Sequence, residues 1–266
     1  NGKMLYYLSE NFRCPSTLEQ TAYISQILQG MAVRCGVEHW RRNRGRCMGA
    51  LYWQVNDNWP APSWSSIDYF ARWKALHYMA KEFYARRAAS LEINGGRIRL
   101  WAENETAENQ DFRMRIFLKK MDYTVVAETA TTGSVDAFSS VCGAEIDLED
   151  CRAYRKLKQD CAPDEDPDEA LFIEGAVEYE DGTVRRSVET LLPYKYLRLT
   201  PPVFRTEVSR KGTAYEISLE ADAFAAFVEL SVDDADVIFS ENYFHMTGRG
   251  QKVIILKDED ISGTAV

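Results

Sequence analysis

Between Tyr52 and Tyr69 the chain crowds indole, amide and carboxylate side chains: Trp53, Gln54, Asn56, Asp57, Asn58, Trp59, Trp64 and Asp68. Flat aromatic faces beside short hydrogen-bonding groups suit a sugar, whose axial C–H faces rest on a ring while its hydroxyls meet Asn, Asp or Gln. Retaining glycoside hydrolysis needs two carboxyl groups about 5–5.5 Å apart, one to protonate the leaving oxygen and one to attack the sugar. Asp57 and Asp68 share this loop, which permits proximity without establishing it. Asp57 also reads as a residue that fixes a strand-end loop or caps a turn, and Asp68 as structural. His77 reads as a hydrogen-bonded core residue, because no nucleophile is placed beside it. Trp64, Tyr69 and Trp73 read as packing groups.

The elements that must position this loop follow from periodicity. Ahead of it, Ser16 with Glu19 predicts a capping box, and Leu18, Ile24, Ile27, Leu28, Met31, Cys35 and Trp40 recur near a helical period. Gly30 and Gly36 weaken that helix by about 1 kcal/mol each relative to alanine, so packing must hold them. Arg41, Arg42, Arg44 and Arg46 read as its solvated end. Cys47 to Val55 is a continuous apolar run, as in a strand covered on both faces. Trp73, Leu76, His77, Met79, Ala80, Phe83 and Tyr84 predict a second helix packing back over it.

Beyond Ala88 the period falls toward two. Runs at 98–104, 112–118 and 123–128 read as strands, and 171–179 with 183–191 flank Asp181-Gly182, a strong hairpin signal. The acidic, proline-broken stretch from Cys161 to Asp168 reads as an exposed loop. After Pro201-Pro202 come five short strand candidates, at 203–209, 214–219, 226–232, 237–239 and 252–256. Two antiparallel sandwiches fit this layout better than one. Trp101 and Tyr243 lie in periodic settings that favour a core role.

Composition narrows the rest. The chain has 266 residues, a formal charge of −9 and 45% apolar residues, enough for ordinary buried cores and unfavourable for a nucleic-acid backbone as partner. No apolar run reaches the roughly eighteen residues of a membrane span, and the start lacks the core of a secretion signal. Cysteines 14, 35, 47, 142, 151 and 161 form no CxxC pair, which favours free thiols in a reduced, cytoplasmic setting over a disulfide framework. Cys142, Cys151 and Cys161 could include one disulfide or a weak metal-ligand set. No cofactor motif is present, and no metal is expected.

The segment Ala50-Leu-Tyr-Trp-Gln-Val-Asn-Asp-Asn-Trp-Pro-Ala-Pro-Ser-Trp-Ser65, with Asp68-Tyr69, Trp73-Lys74, His77-Tyr78 and Lys81-Glu-Phe-Tyr84, resembles the last barrel strand and helix of beta-mannosidases. These belong to a glycoside hydrolase group that also holds beta-galactosidases and beta-glucuronidases. Gly36-Val-Glu-His-Trp-Arg-Arg42 is similar to the preceding barrel helix, and Phe239-Ser-Glu-Asn-Tyr-Phe244 to a region of the C-terminal sandwich. The resemblance implies a multidomain chain. It starts with the truncated C-terminal end of a (β/α)8 barrel, residues 1–89, followed by two immunoglobulin-like antiparallel β-sandwiches, 90–200 and 201–266.

The implied activity is that of a C-terminal fragment of a retaining exo-beta-mannosidase, acting on nonreducing terminal beta-mannosyl linkages. Both catalytic glutamates would lie upstream: the family's Asn-Glu acid/base pair is absent, Glu241-Asn242 is reversed, and Ser9-Glu10 lacks the continuation of the nucleophile motif. No catalytic residue is therefore assigned within this chain. Its partners would be the upstream catalytic part and, through it, a beta-mannoside or related glycan. By the same resemblance Trp53 would floor the subsite for the mannose ring, with a buried core tryptophan as the rival reading. Asn56 and Trp59 would extend the pocket wall or support its loop, and Asp57 would fix the loop or accept a substrate hydrogen bond. The alternative is a carbohydrate-binding or protein-interaction accessory module of another hydrolase in the group.

Overall fold

A computed structural model describes residues 2–262 and divides the chain into two compact units. Among the described residues, the first holds 2–14, 34–50 and 81–198, and the second 15–33, 51–80 and 199–262. Three helices come first: α1 (Gly2–Asn11), α2 (Leu18–Arg42) and α3 (Ala75–Phe83). The cap of α2 lies one residue beyond the expected one. Thr17 Oγ1 accepts from Gln20 N–H at 3.1 Å, while Gln20 Oε1 accepts from Ser16 N–H at 2.9 Å. Ser16 thus supplies the reciprocal donor, and Gln20 takes the role expected of Glu19.

In the first unit, seven strands form two sheets around one apolar core. They are β1 (Arg87–Asn94), β2 (Arg97–Asn104), β3 (Gln110–Lys120), β4 (Val125–Val135), β5 (Ser139–Asp147), β6 (Leu171–Tyr179) and β7 (Val184–Glu189). One sheet has the order β1-β2-β5 and the other β4-β3-β6-β7, all pairs antiparallel. The chain crosses between sheets after β2, after β4 and after β5, a Greek-key sandwich. Phe112, Met114, Ile116 and Leu118 alternate inward along β3, while Arg113 and Arg115 point away from the core. Gly175 on β6 allows the sheets to approach, since a Cβ there would lie 2.6 Å from Leu100 Cδ1. The Asp181-Gly182 turn forms with Gly182 at φ +81°.

The helix α4 (Arg152–Asp160) lies where periodicity predicted no element. It lays Cys151, Tyr154 and Leu157 on the sandwich core, and Tyr154 donates to Asp168 at 2.9 Å. Strands β1 and β5 were also not anticipated, nor was α1. All six cysteines are free thiols, including those at 142, 151 and 161.

The arginines expected to be solvated form instead a buried ionic seam within the first unit. Arg41 is 8% exposed and meets Glu103, itself 1% exposed, at 2.9 Å, and its guanidinium also donates to the carbonyls of Phe83 and Ala85. Arg44 pairs with Glu105, and Arg42 lies 3.8 Å from Glu38. Only Arg46 of the four is exposed. The charge pattern looked like a helix terminus because the carboxylates that meet Arg41 and Arg44, Glu103 and Glu105, are about sixty residues away.

In the second unit, β8 (Phe204–Lys211), β9 (Ala214–Ala221), β11 (Asp236–Phe239) and β13 (Lys252–Ser262) form a sheet of order β11-β13-β9-β8, and β10 (Ala225–Val228) pairs with β12 (Phe244–Met246). Leu219, Ala221, Ala225, Phe239, Met246, Ile254 and Leu256 fill the core. Asn242 clasps Leu230 with both ends of its amide, accepting from its N–H at 2.8 Å and donating to its carbonyl at 3.0 Å. Tyr243 is 8% exposed, in keeping with a packing role, and donates to Glu229 at 2.6 Å.

Candidate functional site

The segment 47–55 forms no strand ladder. Among the described residues, the β contacts beside it are isolated bridges, parallel from Asn56 to Ile67 and antiparallel from Ile67 to Trp73. Leu51, Trp53 and Val55 are accordingly exposed, while Tyr52 turns inward to share a 2.9 Å hydrogen bond with Ser66 Oγ. Alternation of this kind is strand-like even without a partner.

What shapes the loop beyond it is a side-chain network centred on Asp57, all within the second unit. Ser63 Oγ donates to Asp57 at 2.6 Å, Ser65 Oγ at 2.6 Å and Gln54 Nε2 at 3.1 Å, and Lys74 Nζ sits 3.3 Å away. Lys74 also reaches Ser65 Oγ at 2.7 Å, which joins the start of the following helix to the loop. Hydroxyl donation from Ser63 and Ser65, followed by Lys74, holds the Asp57 carboxyl below the usual aspartate range. Backbone bonds close the same turn, with Ile67 N–H on Val55 carbonyl at 2.8 Å and Asp57 N–H on Ile67 carbonyl at 3.2 Å.

Helix α2 fastens the outside of this loop. Gln29 Nε2 donates to Trp64 carbonyl at 2.6 Å, and Gln26 Oε1 accepts from Ala75 N–H at the start of α3. Gly30 lies where any Cβ would collide with Met79 of α3, which explains a glycine inside a long helix. His77 shares a 3.0 Å hydrogen bond with Ser66 Oγ and packs its ring on Trp73. Burial lowers its pKa.

Of the four residues proposed from sequence, three face solvent. Trp53 is 78% exposed, Trp59 is 72% exposed and Asn56 is exposed, whereas Asp57 is committed to Ser63, Ser65 and Lys74. The peptide between Trp53 and Gln54 is cis. Trp64 and Tyr69, expected to pack, are 65% and 49% exposed. Asp68 accepts from the N–H groups of Phe70 and Arg72 and from Arg72 Nε at 2.6 Å, so it closes a turn. Both aspartates are occupied by donors of their own loop. The arrangement can present flat apolar surface and an amide to a ligand, and it contains no free acid/base pair. Sequence reasoning missed Ser63, Ser65 and Lys74; a Ser-x-Ser beside an aspartate-bearing turn is their only local signal.

The family model Ig_mannosidase, an Ig-fold domain, matches residues 199–265. The strands β8 to β13 lie within this match. The chain is 42% identical to beta-mannosidase of Bos taurus over 98 residues, covering 32% of this chain and 11% of that protein. It is 28% identical to beta-mannosidase B of Thermothelomyces thermophilus over 267 aligned residues, covering 90% of this chain and 30% of that protein. The crystal structure of beta-D-mannosidase from Dictyoglomus thermophilum is similar in fold, with a TM-score of 0.82 and 22% identity, over 98% of this chain and 31% of that one. The chain thus spans a third or less of each of these beta-mannosidase relatives.

Proposed function

We propose that this chain corresponds to the C-terminal part of a retaining exo-beta-mannosidase, which releases mannose from nonreducing terminal beta-mannosyl linkages. The observation that carries the reading is similarity to beta-mannosidase B across 90% of the chain. In this reading residues 1–89 end a (β/α)8 barrel, and 90–200 and 201–266 are successive sandwiches. The unladdered segment 47–55 is then the last barrel strand, whose neighbours belong to the upstream part. Hydrolysis proceeds through a covalent sugar intermediate, with one carboxyl as acid/base and one as nucleophile. Both are supplied by the upstream part, since Asp57 and Asp68 are held by their own turns. Trp53 carries the sugar ring, with Asn56 and Trp59 beside it.

The test is a hydrolysis assay with an aryl beta-mannoside. The purified chain, its mass confirmed, is expected to be inactive, and joining the upstream part is expected to give turnover. Enzyme-like turnover by the chain alone overturns the assignment. A second reading, a glycan-binding module, is favoured by the exposure of Trp53, Trp59 and Trp64. Saturable binding of manno-oligosaccharides to the isolated chain, lost in Trp53→Ala, would select it.

A further inference from the structure

We propose that the edge strand β8 is a self-complementary interface through which two copies of this chain pair antiparallel about a two-fold axis at Thr206. The strand ends its sheet, bonded to β9 on one side only. Every residue from Phe204 to Lys211 is exposed, on both faces of the sheet. Phe204, Thr206 and Val208 stand opposite Ala221, Leu219 and Ile217 of β9, so they share the face that carries the domain core. Yet Phe204 is 42% exposed and Val208 61%, an apolar stripe that the core leaves uncovered. An open edge of this kind presents unpaired backbone donors and acceptors and is a template for another strand.

The charges on this edge select the partner. Among the described residues, Arg205 and Glu207 enter no ion pair within the chain, whereas Arg210 is already held by Asp258 at 2.7 Å and by Tyr215 at 2.6 Å. With the axis at Thr206, Arg205 of each copy lies opposite Glu207 of the other, Phe204 opposite Val208, and Thr206 opposite itself. Opposite charges, apolar pairs and threonine pairs are the favourable cross-strand combinations. Moving the axis one residue places Arg205 or Glu207 opposite itself, which sets like charges in contact. Pro202, without an N–H, and Val203, whose N–H is bound to Asp222 at 2.8 Å, limit the ladder at its ends. The interface is isologous and short, which makes it a weak, concentration-dependent dimer.

Sedimentation velocity on the 266-residue chain, over a concentration series reaching the millimolar range, reads the association directly. A monomer–dimer equilibrium is expected. Arg205→Glu and Glu207→Arg should each weaken it about tenfold, because symmetry applies each change twice. The double swap should restore it, since the two signs are merely exchanged. Thr206→Lys, which sets two like charges on the axis, should abolish it. Thermal unfolding of each variant separates loss of pairing from loss of fold. A monomer throughout the series overturns the proposal. So does association that the single swaps leave unchanged, as contact through the exposed tryptophans would, or a folded double variant that pairs no better than the singles.

Discussion

Trp53 and Asp57 lie four residues apart and face opposite fates, one open to solvent and one saturated with donors. If Trp53 stacks on the sugar ring, truncating it in the full-length enzyme should cost about 1–3 kcal/mol of transition-state stabilisation, by analogy with base stacking on aromatic side chains. The exposed indole contributes little to the fold, so Trp53→Ala should lower kcat/KM on a beta-mannoside while the unfolding midpoint holds. Unchanged kinetics would remove it from the site. Asp57 makes a prediction of opposite character. Its pKa is depressed in the folded state, so its contribution to stability is complete above the unfolded value of about 3.9 and is lost as pH falls through the folded one. Acid unfolding followed by fluorescence should therefore show a steeper loss in that window for the native chain than for Asp57→Asn. The loop's composition made the aromatic and amide groups visible in the sequence. Their exposure was not visible, because burial of a tryptophan depends on which strands run beside it.

At the scale of elements, Gly175 offers the sharper test of how the first sandwich closes. A methyl group there meets Leu100 Cδ1 at 2.6 Å and Leu91 Cγ at 3.1 Å, both in a packed core. Gly175→Ala should destabilise by about 1–3 kcal/mol. Adding Leu100→Ala should recover part of that loss, so a denaturant-unfolding cycle on the pair should be non-additive. Strict addition would show that the sheets separate instead. Period-two runs such as Phe112 to Leu118 were legible because one face is buried and the other wet. The strand β1 was not, since Ala88 to Leu91 is buried at four consecutive positions and shows no alternation. Helix α4 hid behind a strongly charged sequence whose contacts with the core are Cys151, just before it, Tyr154 and Leu157. The arginines of α2 misled for a related reason. Local pattern reports which face of a helix is charged and is silent on distant carboxylates that neutralise it.

For the molecule as a whole, the ionic seam sets a pH dependence opposite in sign to that of Asp57. Burial, aided by Glu189 and Glu103 and opposed by Arg34 and Arg42, pushes the Glu38 carboxyl up to about 8. The folded state therefore keeps a proton that the unfolded chain gives up near pH 4.3. Stability from this group is present below that value and is lost as pH rises through the folded pKa near 8. Thermal melts between pH 5 and 9 should decline for the native chain and decline less for Glu38→Gln. That the chain beyond Ala88 is mostly antiparallel strand was legible from the period-two runs and the short strand candidates. Which strands share a sheet was not. The strand β13 lies between β9 and β11 in space but follows both in sequence. During synthesis on the ribosome, β9 and β11 must wait without their common neighbour until residues from Lys252 onward emerge. The first sandwich has by then received all seven of its strands. A nascent chain arrested before Lys252 would thus carry one domain able to fold and one held open, a form that chaperones and proteases would recognise.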